Sequence, residues 1–195
     1  MGPRVEARLV RHGFYPRGGG RIEVEIEPAP LQPVECLARG AALGVSACAL
    51  FAALPFAIAE REIAVVRRDL GWSERESYVR ELPEDQRPGN ILMLEARFEH
   101  ATEIVSGFGS LGVPAERLAR QACARMRGYL ACDAFAGPYL ADQLLLPMAV
   151  AGGGAFTTVK PSDHARTAAT VIERFTGRRT TFVQQAGGEH LITVR

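Results

Sequence analysis

Residues 12–20, His-Gly-Phe-Tyr-Pro-Arg-Gly-Gly-Gly, constrain the fold of this chain more than any other stretch. Three adjacent glycines just after a proline put bare backbone where most chains carry side chains. Backbone of that kind either takes up positive φ in a tight turn or approaches another group closely. Directly afterwards Ile22, Val24 and Ile26 alternate with Glu23, Glu25 and Glu27. A period of two predicts a strand with one buried and one wet face. Pro28 and Pro30 forbid continued pairing, so the strand ends there.

A new unit begins near Arg39-Gly40. The apolar run 40–59 is long enough on paper to span a membrane, but Gly44, Ser46 and Pro55 interrupt it and its alanines keep it only modestly hydrophobic. It reads as a buried strand leading into a helix. Pro55 fits the first turn of that helix, Ala59, Ile63, Val66 and Leu70 recur on one side, and Gly71 stops it. Leu92, Leu94, Ala96 and Phe98 alternate as a strand, and Gly107 and Gly109 punctuate the turn that follows. Pro114 opens a second helix carrying Leu118, Ala122, Met126 and Tyr129 on one side. Residues 40–134 thus make an α+β unit. The remainder predicts a helix over 138–149 with Leu144, Leu145, Leu146, Met148 and Val150 in the core, a turn at Gly152-Gly153-Gly154 and a short strand near 156–159. A last helix buries Ala165, Ala168, Ile172 and Phe175 and stops at Gly177, before a closing hairpin through Gly187-Gly188.

With 195 residues, 47% of them hydrophobic, and a net charge of +1, the chain has material for a sizeable core and no global charge for a polyanion. No charged start followed by an apolar core and cleavage site is visible, which makes the cytoplasm the expected compartment. Cys36, Cys48, Cys123 and Cys132 lack C-x-x-C spacing and read as reduced thiols. Lys160 is the single lysine among 23 basic residues, so twenty-two are arginine. Arg4, Arg8, Arg11, Arg17 and Arg21 crowd the glycine-rich segment. They suit a phosphate-bearing partner if they share a face; a general preference for arginine in this chain is the other explanation. His100 and His190 have no partner at ligand spacing, so no protein metal site is expected.

The run His-Gly-x-x-Pro-x-Gly-Gly-Gly resembles the signature of the RNA 3'-terminal phosphate cyclase family at every fixed position. Two further blocks resemble that family in the same order: Tyr139-Leu140-Ala141-Asp142-Gln143-Leu144, and Pro161-Ser162-Asp163-His164 followed by Thr167 and Val171-Ile172-Glu173-Arg174-Phe175. The resemblance implies an α+β protein built of repeated units of a four-stranded sheet with two helices, carrying an inserted smaller thioredoxin-like α/β domain. On that pattern residues 1–39 and 135–195 are parts of the large cyclase domain and 40–134 are the insert, with the front of the architecture missing. A late start, a shortened piece or a broken gene are equally consistent with Met1. Missing repeats leave an apolar sheet face uncovered, which predicts self-association or poor solubility.

His164 is the candidate nucleophile. It falls at the start of a helix whose cap is Ser162 or Asp163. A helix N-terminus disfavours imidazolium and attracts phosphate, which suits a neutral imidazole attacking a nucleotide, although a histidine there is also an ordinary surface or capping residue. The resemblance implies the first role: His164 takes AMP from ATP, AMP passes to an RNA 3'-phosphate, and the neighbouring 2'-hydroxyl closes a 2',3'-cyclic phosphate, a ligase-class reaction. It also implies that Tyr139 lies against the base and that Asp142 and Gln143 lie on the ribose or around the histidine. Read from the residues alone, Asp142 equally caps a helix and Tyr139 equally packs in a core. Phe108 is the aromatic available for a nucleotide contact from the 40–134 unit. Of the signature residues His12, Gly13, Pro16, Gly18, Gly19 and Gly20, His12 is expected to hydrogen-bond its own loop. Mg²⁺ is expected to arrive with ATP. One departure stands out: the family's usual Thr-Asn after the nucleophile is Thr167-Ala168 here. The alternatives are an inactive remnant, or a non-catalytic cyclase-like protein binding RNA in ribosome assembly; retention of a histidine at 164 argues against the latter.

Overall fold

Two strands open the chain, β1 (Arg4–Arg11) and β2 (Arg21–Glu27), paired antiparallel in the register Val5↔Ile26, Ala7↔Val24 and Leu9↔Ile22. These six residues share one face, and in the computed structural model, which describes residues 1–86 and 88–195, that face is bare. Ile22 is 65% exposed. The alternation identified the strand correctly, but the buried face it predicted is not buried, because this hairpin forms a sheet of its own with no helix among the described residues layered on it. On the opposite face Arg4 pairs with Glu6 and Glu27, and Arg8 and Arg21 pair with Glu23. Three of the five crowded arginines therefore meet carboxylates of the same hairpin.

The loop joining β1 to β2 closes on itself. A Cβ on Gly13 would overlap the backbone of Gly20, and Gly18 and Gly19 take φ of 62° and 85°, which glycine adopts without strain. The close approach suggested by the glycines is thus made to the loop's own backbone. Phe14 leaves the loop and is buried against Cys48, Leu50, Ala52 and Leu82.

The second sheet contains β4 (Ala42–Ala52), β5 (Ser77–Glu81), β6 (Gly89–Phe98) and β7 (Thr102–Phe108) in the order β5-β4-β6-β7, with only β4 and β5 parallel. Helices α1 (Phe56–Leu70) and α2 (Ala115–Leu130) pack on each other and on one side of this sheet. Ala59, Ile63, Val66, Leu118, Ala122, Met126 and Tyr129 meet Ala47, Ala49, Phe51, Leu92, Leu94 and Val105 there. Gly71 closes α1 in the left-handed region. Gly107 lies inside β7 rather than in a turn. A Cβ there would press on Leu118 at 2.8 Å, so the glycine serves the close approach of α2.

The third sheet runs β3-β8-β10-β9, from β3 (Val34–Cys36), β8 (Gly154–Thr158), β9 (Thr180–Gln184) and β10 (His190–Val194). It carries α3 (Pro138–Val150) and α4 (Asp163–Thr176), whose Ala141, Leu145, Met148, Ala165, Ala169 and Ile172 cover Phe156, Ile192 and Val194. Leu146, Val150 and Phe175, expected inside, face solvent; Phe175 is 86% exposed. A helix on an open sheet buries only the stripe turned toward it, which in α4 runs through Ala165, Ala169 and Ile172. The four cysteines are free thiols, and none of the described helices is long and apolar enough to cross a membrane.

The chain passes into the second sheet beside Arg39 and leaves it after α2. Arg39 is buried there, its guanidinium 4.3 Å from the Phe98 ring centre and 5.1 Å from that of Tyr129. It donates to the Tyr129 carbonyl and to Asp133, each at 3.2 Å.

Candidate active site

Helix α4 begins where a local cap places it. Ser162 is extended, and its hydroxyl accepts from the Ala165 N–H at 3.1 Å, so Ser162 is the cap rather than Asp163. Pro161 behind it is buried. His164 follows in the first turn with its side chain exposed to solvent.

Helix α3 begins differently. Its N-cap is Gly137, which has no side chain, and Pro138 follows. The Gly137 N–H donates to Glu103 Oε2 on β7 at 3.1 Å. Burial pushes the Glu103 carboxyl above the usual carboxylate range, and the Gly137 bond pulls it back. Tyr139, in the first turn, is 59% exposed, and its hydroxyl accepts from Arg125 Nη1 of α2 at 3.4 Å. Arg125 Nη2 donates at 2.6 Å to the carbonyl of Ser106, two residues before the exposed Phe108. Asp142, half-buried, and Gln143, exposed, sit in the second turn. Asp142 therefore does not cap the helix and Tyr139 does not pack in the core.

Both helices leave the same end of the third sheet. Ala136, just before Gly137, donates its N–H to the Thr157 carbonyl at 3.0 Å, and its own carbonyl accepts from Thr158 Oγ1 at 2.9 Å. Thr158 ends β8, five residues before α4 begins. The N-termini of α3 and α4, with Tyr139 and His164 in their first turns, therefore lie at one end of one unit, and Asp142 and Gln143 follow in the second turn of α3. The signature loop sits elsewhere: His12 is held by Gln86, whose Oε1 accepts from its N–H at 3.0 Å and lies 2.9 Å from Nδ1. Among the described residues no hydrogen bond joins this loop to α3 or α4. No cluster of three or more His, Cys, Asp or Glu gathers among them either.

Residues 1–182 match the family model described as RNA 3'-terminal phosphate cyclase. The chain belongs to that family. The cyclase-family match takes in all three sequence blocks, from His12 to Phe175. Proteins named RNA 3'-terminal phosphate cyclase are 43% identical in Pseudomonas aeruginosa, across 100% of this chain and 57% of the relative, and 47% identical in Pseudomonas fluorescens, across 90% and 51%. A third, from Koribacter versatilis, is 45% identical across 90% of this chain and 50% of its own length. The chain thus spans a little over half the length of the cyclases it matches.

Sequence reasoning missed Glu103, Arg125 and Arg39. Glu103 falls on the same face as Val105 and Gly107, so recognising β7 as a strand would have put this carboxylate on the buried face.

Proposed function

We propose that this chain works as part of an ATP-dependent RNA 3'-phosphate cyclase, with His164 as nucleophile. The observation that supports this reading is that α3 and α4 start at the same end of the third sheet, with an exposed tyrosine in the first turn of one and an exposed histidine in the first turn of the other, in a chain of this family.

In this reading a ring nitrogen of His164 attacks the α-phosphorus of ATP. A P–N bond forms, the bond to the leaving pyrophosphate breaks, and the pyrophosphate carries away the displaced electron pair. An oxygen of the RNA 3'-phosphate then takes the adenylyl group from the histidine, and the 2'-hydroxyl displaces AMP to close the ring. Splitting the reaction in this way replaces one difficult displacement by easier ones. Tyr139 offers its ring to the base, and Asp142 and Gln143 their polar atoms to the ribose. The α4 N-terminus, capped by neutral Ser162, presents backbone N–H groups to the phosphates. Mg²⁺ supplies charge neutralisation when it arrives on the triphosphate.

The same reading takes 40–134 as an insert of thioredoxin-like character and 1–39 with 135–195 as parts of the larger domain. The mixed order β5-β4-β6-β7 with both helices on one side supports the former, and the pairing of β3 with β8 the latter. The test uses ATP labelled in its α-phosphate, with Mg²⁺. It is applied to this chain and to the Pseudomonas aeruginosa cyclase carrying these residues in place of its own aligned stretch. Acid-labile label is expected on the protein and is lost in His164→Ala. A folded hybrid that takes up no label, or takes it up equally well in His164→Ala, overturns the assignment.

A further inference from the structure

Helix α3 carries the proposed nucleotide subsite but has no cap of its own. A helix start leaves backbone N–H groups without partners, and the usual remedies are a polar side chain at the N-cap, or a Glu or Gln at the third helical position reaching back to the N-cap N–H. Here the N-cap is Gly137 and the third helical residue is Leu140. Neither remedy is present. Glu103 takes the place of the missing glutamate from another element: its buried carboxylate, on β7 of the second sheet, accepts the N–H of Gly137.

The glycine itself reports how tightly this contact is built. Gly137 has φ −73° and ψ 176°, a conformation open to any residue, so its backbone does not demand glycine. Space does. A Cβ at this position would overlap the Glu103 carboxylate. The following residue but one is Tyr139, and it too is held from the second sheet's unit, by the Arg125 fork that spans its hydroxyl and the Ser106 carbonyl. By contrast α4, with His164, is capped by its own Ser162.

We infer that Glu103 and Arg125 are positioning residues for the nucleotide subsite: from outside α3 they fix its first turn, and with it the Tyr139 ring, so that residues 40–134 set the geometry in which the base is received. The inference rests on the reading of Tyr139 given above. It assigns the 40–134 unit a definite task at a site whose nucleophile lies outside it.

Two readouts test it. The first is amide hydrogen exchange at Gly137 and Tyr139, which needs no nucleotide: Glu103→Ala speeds it about tenfold, while Glu103→Gln, which keeps an acceptor, leaves it near wild type. The second is ATP affinity by calorimetry, at a temperature where all variants are folded. Glu103→Ala weakens binding about tenfold and Glu103→Gln restores most of it. Because the effect passes through Tyr139, Glu103→Ala in a Tyr139→Ala background weakens binding no further. Arg125 lies on the surface and tolerates replacement, so it carries the test if Glu103→Ala does not fold. Arg125→Ala costs about threefold in affinity, and nothing when Tyr139→Phe has already removed the acceptor hydroxyl. Unchanged exchange and affinity in these variants, or losses that add to those of the Tyr139 substitutions, overturn the inference. If no form binds ATP, the nucleotide reading falls and the subsite with it, whereas exchange at Gly137 still shows whether the brace exists.

Discussion

Glu62 sits in α1 with 1% of its surface exposed, inside the layer between helices and second sheet. Asn90 Nδ2 donates to its Oε1 at 2.6 Å, and Oε2 has no partner among the described residues. Burial, partly offset by the Asn90 bond and by Arg61, pushes the carboxyl from its ordinary 4.5 up to about 7. Below the lower value folded and unfolded states both hold the proton, and the contribution to stability is intact. Between the two values the unfolded chain has released the proton and the folded chain retains it, so stability falls as pH rises; above about 7 both are ionised and the loss is complete. The whole displacement is worth about 3 kcal/mol, a large share of the ~5–15 kcal/mol that holds an ordinary domain together. Glu62→Gln keeps an acceptor for Asn90 and abolishes the titration. Relative to wild type it should gain about 2.5 kcal/mol in stability between roughly pH 5 and pH 8. Urea unfolding followed by the fluorescence of Trp72, the single and buried tryptophan, measures this directly. Other titrating groups, the similarly raised Glu103 included, are common to both proteins and cancel. Parallel pH profiles for the two would refute the reasoning.

Phe14→Ala should destabilise the chain by about 3 kcal/mol in the same assay. A Cβ on Gly89 would overlap the Phe14 ring and its Cβ, so Gly89→Ala should be damaging in wild type and much less so once Phe14 is glycine; additive losses would show that the two do not share a site. For the bare face of the hairpin, joint replacement of Ile22, Val24 and Ile26 by Thr should leave the unfolding midpoint almost unchanged while shifting sedimentation toward monomer. A wild-type chain that sediments as a monomer and binds no hydrophobic dye would contradict this.

Signals confined to a few residues were legible in the sequence. Pro55 and Pro114 immediately precede α1 and α2, Ser162 caps α4, and Gly71 and Gly177 close their helices as expected, because capping and stopping are decided within one turn. Burial was legible only where a second layer lies close in the same unit. The stripe of α1 is buried, whereas β2 has an equally clear alternation and no layer to meet it. Phe175 and Val150 failed for the related reason that hydrophobicity does not say which side of a helix faces the sheet. At the candidate site the sequence blocks marked His164, Tyr139, Asp142 and Gln143, and the fold brings the starts of their two helices to one end. What they could not mark was support from afar: Glu103, Arg125 and Arg39 act across 34, 14 and 90 or more residues of chain, and no local pattern encodes such pairings. Glu62 had a visible sign, standing three residues after Ala59 and four before Val66 on the buried side of α1.

Arg39 has a consequence for the path of the chain. One guanidinium touches the strand of polypeptide going into the second sheet's unit and the strand coming out of it, since it belongs to the first and is bonded to Tyr129 and Asp133 of the second. The stretch of about ninety residues between them therefore begins and ends at what is, in space, a single point. β3, before this stretch, and β8, after it, pair directly with each other. A stretch whose two ends meet in this way can be lengthened or shortened between them without rerouting the sheet from which it departs.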